Sequence, residues 1–327
     1  MKRQAAGVFV AVLAGAGALL VGCSSGGSDA GSDGGGGGSS TTTTAAGTTT
    51  TLPPVPTPLE DQTPPTSING LTLQGDTIWV ASIEDDAVLQ VDAESGAILR
   101  RIDTQGAGPD DVAVAPDGSV WTTGFSNGDL GRIAPDGAYE VVENIEAGIN
   151  PLEFGSDGTL YIGTYGPDGT LYALETDGGA PKEGATAEVV AEDLPDINAF
   201  GVLEDDTIVA PAGGLVGPSA AVLIDPATGD VTTLVSDIPP DADVKAVAAG
   251  ATDADGVPYV LANISGDVLA IDVEAKTAEV VQTVKQGSPF DNLAFAPDGT
   301  LYVSSFTAPT ITVVAPDGSE QVLAIGS

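Results

Sequence analysis

The chain has 327 residues, of which 47 are acidic and 9 basic; it has no His, a single Cys and a formal net charge of −38. This balance excludes nucleic acid as a partner, because phosphate binding needs clustered Lys and Arg. The lack of His excludes His-based catalytic triads and His-liganded zinc, and a single Cys excludes internal disulfides. The acidity itself is typical either of a highly soluble extracellular surface or of adaptation to salt.

The first 23 residues have the features of an export signal. Lys2 and Arg3 give a positive start, and the apolar stretch 8–21 has signal-peptide length and is short for a membrane span. It ends in Gly22 and Cys23, followed by polar residues. This pattern resembles the lipobox of bacterial lipoproteins, which implies cleavage after residue 22, an acylated Cys23 and attachment to the outer face of the cell membrane. The alternative is an ordinary secretory signal with an incidental Cys.

Residues 23–66 are dominated by Gly, Ser, Thr and Pro. Such a segment cannot bury enough apolar surface to fold, so it is predicted to be a disordered linker. It would space a folded domain from the membrane.

From about residue 67 a pattern recurs in which an apolar run of period 2 leads through an Asp-Gly turn to an aromatic residue. Clear copies span 112–121, 152–161 and 293–302, and weaker ones begin at Leu71, Phe200 and Val247. A period of about 40 to 50 residues with four strand-like runs is typical of a β-propeller. The sequence therefore predicts an all-β fold, a six-bladed β-propeller with four-stranded blades over 67–327. The predicted blades lie near 67–109, 110–149, 150–197, 198–243, 244–290 and 291–327.

Two ways of closing the ring remain open. Blade 1 begins with its inner strand near Asn69, and blade 6 ends with an outer strand at 320–325. This favours closure by packing of blade 1 on blade 6, without an exchanged strand. The alternative is that residues 59–63 supply an extra edge strand.

The position two residues before each inner-strand anchor is polar in all six repeats. These residues are predicted to form a ring at one mouth of the central channel: Asn69, Asp110, Asn150, Asn198, Lys245 and Asp291. An oxygen-rich ring can hold Ca²⁺ or Mg²⁺, or the hydroxyls of a sugar or lactone. Asn and Asp are equally common in turns, so turn formation is an alternative interpretation. Lys245 would pair with Asp110 or Asp291, because a buried ammonium needs a carboxylate.

Three further residues are secondary candidates. Asp111 and Asn292 follow ring members directly, and Glu153 occupies a column that holds only small residues or Thr in the other inner strands. A carboxylate in such a column breaks a local rule, and such breaks are enriched at functional sites. The alternative for Glu153 is a carboxylate that merely faces the channel.

The repeat, above all residues 108–121 and 131–137, is similar to the six-bladed propellers of the senescence-marker-protein/gluconolactonase family, of NHL-repeat proteins and of streptogramin lyases. Streptogramin lyases use a catalytic His, which this chain lacks. Gluconolactonases hold a divalent metal with Glu, Asn, Asn and Asp. Asn150 and Asn198 match the two amides, whereas Asn69 and Lys245 replace the two carboxylates. Asp291 is the candidate base from a neighbouring blade.

These observations favour a surface-anchored lipoprotein whose propeller binds a small ligand or a protein partner at the channel mouth and is not an enzyme. The alternative is a metal-dependent lactonase or ester hydrolase that uses the oxygens of Asp110, Asn150, Asn198 and Asp291.

Overall fold

The computed structural model describes residues 42–45, 48–51, 56–213, 219–239 and 246–326. All regular elements in these ranges are β-strands. The described residues form no helix that is long and apolar enough to cross a membrane. The predicted signal peptide, the lipidation site Cys23 and the ring residue Lys245 lie outside the described residues. Within the predicted linker, strands β1 (Thr42–Ala45) and β2 (Thr48–Thr51) pair in antiparallel fashion.

Six four-stranded antiparallel sheets follow, each a meander whose strands are neighbours in sequence apart from one inserted hairpin. In blades 1 to 3 the strands are β3 (Leu71–Gln74), β4 (Thr77–Ser82), β5 (Ala87–Asp92), β6 (Ile98–Asp103), β7 (Pro109–Val114), β8 (Val120–Gly124), β9 (Asp129–Ile133), β10 (Tyr139–Asn144), β11 (Ile149–Phe154), β12 (Leu160–Thr164), β13 (Gly169–Leu174), the inserted β14 (Thr176–Asp177) and β15 (Ala180–Pro181), and β16 (Glu188–Leu194).

In blades 4 to 6 the strands are β17 (Gly201–Val202), β18 (Ile208–Ala212), β19 (Ala220–Asp225), β20 (Asp230–Ser236), β21 (Val247–Thr252), β22 (Pro258–Ala262), β23 (Asp267–Asp272), β24 (Thr277–Thr283), β25 (Phe290–Phe295), β26 (Leu301–Ser305), β27 (Thr310–Val314) and β28 (Glu320–Ala324). The predicted all-β fold of six four-stranded blades is confirmed.

The Asp-Gly turns join the inner strand of a blade to its second strand. In blade 2, Asp117 Oδ1 accepts hydrogen bonds from Ser119 N at 2.8 Å and Ser119 Oγ at 2.6 Å, while Gly118 takes φ +82°. Gly adopts this left-handed conformation without the steric cost of a Cβ. The same turns at Asp157 and Asp298, and the turn at Asp317 between the third and fourth strands of blade 6, repeat the hydrogen bond that the aspartate accepts from the N–H two residues on.

The apolar core is divided among the blade boundaries. Six clusters of buried side chains are present, and each lies between two neighbouring blades. The cluster between the first and last blades joins Ile68 and Leu71 to Ile311, Leu323 and Ile325. Each sheet thus covers a face that its neighbour would otherwise leave in water, which is the main stabilising contribution of the ring.

The ring closes by packing, because the four strands of every blade come from one continuous stretch of chain. Residues 59–66, at the end of the predicted linker, lie against blade 1 without forming a strand. Leu59 N donates to Ile98 O at 2.8 Å, and Ile98 N donates to Gln62 Oε1 at 2.8 Å. Near the end of the chain, Gly326 N donates to Gly96 O at 2.9 Å, and a Cβ on Gly326 would meet Gln62 O. This segment therefore lies across the boundary of the first and last blades.

Candidate functional site

Several of the predicted ring residues lie at β-bulges in the inner strands. In β7, Pro109 pairs with Gly124 and Val112 with Thr122, so that Asp110 and Asp111 together oppose one residue of β8. A bulge bends the strand and redirects its side chains. The same irregularity occurs at Asn150 in β11 and at Asp291 and Asn292 in β25. These residues were expected just ahead of their strands and instead lie within them, because the bulge lets the strand begin three residues earlier, at Pro109, Ile149 and Phe290.

Asp291 connects three members of the predicted ring. Its Oδ2 accepts a hydrogen bond from Asn69 Nδ2 at 3.1 Å, and its Oδ1 accepts one from Asn198 Nδ2 at 3.2 Å. The amide oxygens of the two asparagines accept backbone N–H groups, from Ile83 at 3.3 Å and from Ala199 at 3.1 Å. Each amide is therefore oriented at both ends, with its nitrogen toward the carboxylate.

Asp110 and Asn150 are the unsatisfied members of the ring. Asp110 is 7% exposed and Asn150 is 6% exposed, and neither side chain has a hydrogen bond or an ion pair with any described residue. Burial and the negative charges of Asp291 and Asp111 raise the pKa of Asp110 well above its ordinary value. Burial also raises the pKa of Asp291, while the bonds from Asn198 and Asn69 oppose that shift. The mouth is thus a buried polar site that lacks positive charge among the described residues.

An apolar rim surrounds this polar floor and was missed from the sequence. The residue directly after the second strand is Ile83, Phe125, Tyr165 or Phe306 in four of the blades. The Phe125 and Tyr165 rings have centroids 6.4 Å apart, and Phe306 is 37% exposed. Burial, and then the negative charges of Asp196, Asp291 and Asp110, raise the pKa of Tyr165 to about 12. Recurrence of large apolar residues at a loop position was the available sequence signal.

The secondary candidates lie deeper, around a cavity of about 170 Å³ lined by all six inner strands. Asn292 Nδ2 donates to Asp111 Oδ1 at 2.9 Å, and Val112 N donates to the same oxygen at 2.9 Å. Burial raises the pKa of Asp111 well above its ordinary value, and the N–H groups of Val112 and Leu152 oppose the shift. Burial raises the pKa of Glu153 to about 7, against one hydrogen bond from Phe154 N at 2.9 Å.

The arrangement does not fit a gluconolactonase-type metal centre. Within the described ranges no group of three or more His, Cys, Asp or Glu residues is placed to hold a metal ion. Hard cations need oxygen ligands, yet Asn69 and Asn198 engage their amide oxygens with backbone N–H groups and point nitrogen at Asp291. Oxygens of Asp110, Asn150 and Asp291 remain, but the first-blade carboxylate of the family is an amide here.

Comparisons with known proteins agree with this scaffold. A family model described as strictosidine synthase-like, N-terminal, matches residues 97–133. No curated protein matches the sequence. Virginiamycin B lyase from Staphylococcus aureus superimposes with a TM-score of 0.59 at 14% identity, covering 82% of this chain and 88% of that one. A structure of the same lyase with quinupristin is of a catalytically inactive His-to-Ala variant.

Two further structures carry different names. A calcium-binding regucalcin from Agrobacterium tumefaciens has a TM-score of 0.56 at 17% identity, covering 81% of this chain and 92% of that one. A gluconolactonase from Xanthomonas campestris has a TM-score of 0.58 at 16% identity, covering 75% and 84%. Several structures similar to this chain are thus enzymes by name. At these identities the likeness establishes the fold, and this chain is a six-bladed β-propeller of the architecture that these lyases and gluconolactonases share.

Proposed function

We propose that the propeller is a binding module that takes a cationic organic ligand at the mouth formed by Asn69, Asp110, Asn150, Asn198 and Asp291. The observation that carries this proposal is Asp110, a carboxylate 7% exposed and without a partner among the described residues, whose pKa burial and the negative charge of Asp291 raise. Neighbouring buried carboxylates are costly to ionise together. A bound positive charge removes that repulsion and offsets the desolvation of both groups.

The rim supports an organic cation over a bare metal ion. Phe125 and Tyr165 form a tilted aromatic pair within reach of the acidic floor, and aromatic faces attract ammonium groups while covering their carbon atoms. Asn150 adds an amide without a partner among the described residues, suited to accept an N–H from the ligand. An apolar wall with a few convergent polar groups is the usual composition of a small-molecule site.

An enzymatic role has less support. Streptogramin lyase activity is not proposed, because the chain has no His. The lactonase alternative needs Asp291 as a base, yet both of its oxygens already accept amide hydrogen bonds. A protein partner at the same mouth would need to present a Lys or Arg side chain to Asp110.

A thermal-shift titration tests the ligand class. Phenethylamine, tetramethylammonium, Ca²⁺ and Mg²⁺ are compared at constant ionic strength on the parent chain, Asp110→Asn and the exposed-turn control Asp136→Asn. We expect the organic cations to raise Tm of the parent and the control but not of Asp110→Asn. The proposal fails if the organic cations act equally on all three proteins. An Asp110-dependent response to Ca²⁺ or Mg²⁺ alone would replace it with the metal-dependent hydrolase alternative.

We also propose that the chain is exported, acylated at Cys23 and held at the outer face of the membrane, with the membrane as its partner at that end. The proposal rests on the sequence of the first 23 residues. Labelled palmitate should enter the parent chain and not Cys23→Ser, and the variant should leave the membrane fraction. Equal labelling of both chains would contradict acylation at this residue.

A further inference from the structure

Blade 3 carries an insertion that the other blades lack within the described residues. Between β13 and β16 the chain forms the β14–β15 hairpin and then residues 182–187. The hairpin tip is fixed on blade 2, because Gly178 O accepts Asp117 N at 2.8 Å and Gly179 O accepts Trp121 Nε1 at 3.0 Å. The insertion is therefore held in place from one side.

The other side of the insertion forms one wall of a groove between blades 3 and 4. The groove has a volume of about 730 Å³ and opens to solvent. Its walls carry six carboxylates, those of Glu175, Glu183, Glu188, Asp205, Asp206 and Asp225, interspersed with the apolar residues Ala173, Ala185, Val190, Pro226 and Ala227. Lys182 is the one basic residue that lines it, and its Nζ lies 3.0 Å from Glu175 Oε2. The groove thus carries a large excess of negative charge.

A buried hydroxyl faces this groove without a partner. Tyr161 is 7% exposed and lines the groove, and its Oη forms no hydrogen bond with any described residue. At the same strand position, Trp121 Nε1 bonds Gly179 O and Tyr259 Oη bonds Asp253 Oδ2 at 2.9 Å, whereas the less buried Tyr302 also has no hydrogen bond to a described residue. Burial and the nearby carboxylates, Asp206 first, raise the pKa of Tyr161 to about 12, so the hydroxyl stays neutral. The Tyr161 hydroxyl therefore keeps its hydrogen-bonding capacity for a ligand in the groove.

The aspartates of the groove keep one oxygen free. Asp206 Oδ1 accepts Ser156 N at 2.7 Å, and Asp225 Oδ1 accepts Ala227 N at 2.9 Å. The Oδ2 atoms of Asp206 and Asp225 have no hydrogen bond with the described part of the chain. The carboxylates are therefore held by backbone N–H groups, that of Asp206 by blade 3 and that of Asp225 by its own turn, while each keeps a second oxygen as an acceptor.

We propose that this groove binds a linear polyamine, in which ammonium groups are separated by short methylene chains. The ammonium groups would lie at Asp206, Asp225 and the glutamates of the insertion, with the Tyr161 hydroxyl as a further acceptor. The methylene chains would lie against Val190 and Pro226. The site is separate from the channel mouth, because Asp205 and Asp206 lie in the turn between β17 and β18, at the opposite end of the inner strand from Asn198.

Isothermal titration of the full chain with spermidine at fixed, near-physiological ionic strength tests this proposal. Tyr161→Phe and the double variant Asp206→Asn/Asp225→Asn are compared with Tyr302→Phe, at the equivalent position in blade 6, and with Asp298→Asn, in the turn between the first two strands of blade 6, away from the groove. The Asn substitutions retain the turn acceptors and remove only charge. We expect binding about tenfold weaker in the double variant and about threefold weaker in Tyr161→Phe, with both controls unchanged.

Two results would overturn it. Equal weakening in the groove variants and the blade 6 controls would mean that spermidine only screens an acidic surface. Mg²⁺ can also be titrated against bound spermidine at equal ionic strength. If the Mg²⁺ concentration that displaces half of the spermidine is the same in every variant, spermidine again only screens the acidic surface. In an Asp110→Asn background, which removes the mouth as a cation site, the groove variants should still weaken spermidine binding by the same factors, which separates this site from the proposed mouth function.

Discussion

Asn292 Nδ2 lies 2.9 Å from Asp111 Oδ1, and this hydrogen bond connects blade 6 to blade 2 across the channel. Both residues are buried, and they are 181 positions apart in the sequence. Within the described residues, the Asp111 carboxylate otherwise accepts only the backbone N–H groups of Val112 and Leu152. The carboxylate therefore depends on a distant blade for its one side-chain donor.

Substitution of Asn292 by Ala should lower the free energy of unfolding by about 2 kcal/mol, because it leaves a buried carboxylate short of a donor. Urea denaturation measures the change. Asn144→Ala is the matched control, since Asn144 makes a similar 2.7 Å bond to Asp129 on the exposed surface and its loss should cost less than about 0.5 kcal/mol. In an Asp111→Asn background the Asn292 substitution should cost less. Equal costs at both sites would show that the bond between the blades is not specially stabilising.

Glu153 should make stability fall with rising pH. Its folded-state pKa is about 7 against an ordinary value of 4.5, so the folded chain retains a proton that the unfolded chain loses. The stability linked to this proton is complete below about pH 4.5 and is lost as pH rises through 7, with an upper bound of about 3 kcal/mol. Urea denaturation from pH 5 to 8 should show a steeper decline for the parent than for Glu153→Gln. Parallel curves would contradict the shift.

Asp110→Asn should stabilise the protein while weakening the mouth as a cation site. Burial and the charges of Asp291 and Asp111 raise the pKa of Asp110, so ionisation of that residue is unfavourable in the folded state. The substitution should add about 1 kcal/mol at pH 7, with little gain at about pH 3, where the carboxyl is largely protonated in both states. Thermal melts at both pH values test this, with Asp136→Asn unchanged. A lower Tm at pH 7 would mean that Asp110 makes favourable contacts in the folded state.

Gly70→Ala should lower the free energy of unfolding far more than Gly250→Ala, although the N–H of each glycine donates a hydrogen bond to a neighbouring blade. A Cβ on Gly70 would lie 2.3 Å from Asp111 Oδ1 and 2.6 Å from Asp110 O, whereas at Gly250 the nearest atom is 3.1 Å away. We expect a loss of about 3 kcal/mol at Gly70 and about 1 kcal/mol at Gly250 by chemical denaturation. Similar losses would show that the backbone shifts to admit the methyl group.

The fold could be predicted from the sequence because its signals are local. Each Asp-Gly turn and the aromatic residue that follows it lie within ten residues, and their repetition gives the blade count. How the ring closes was harder to predict. Residues 59–66 are held by hydrogen bonds to Ile98, and such bonds leave no repeating pattern in the sequence.

Only part of the candidate site could be predicted from the sequence. Polar residues recurring at one point of the repeat located Asn69, Asn198 and Asp291, whose mutual bonds the structure shows. The bulges were not predicted, because a bulge depends on pairing with the second strand. The groove between blades 3 and 4 was also missed, because its carboxylates come from turns that are local in sequence and meet only when two blades pack.

The position of residues 59–66 has a mechanical consequence. A force applied to the chain from its N-terminal side reaches the propeller first at Leu59 and Gln62, whose bonds to Ile98 lie beside the boundary of the first and last blades. Load enters at the boundary where the chain does not run on from one blade to the next, and where packing and a few hydrogen bonds, such as Gly326 N to Gly96 O and Asn69 Nδ2 to Asp291 Oδ2, join the ring. Pulling should therefore peel this segment from Ile98 before it separates the blades, so that the short segment yields first and the ring behind it stays closed.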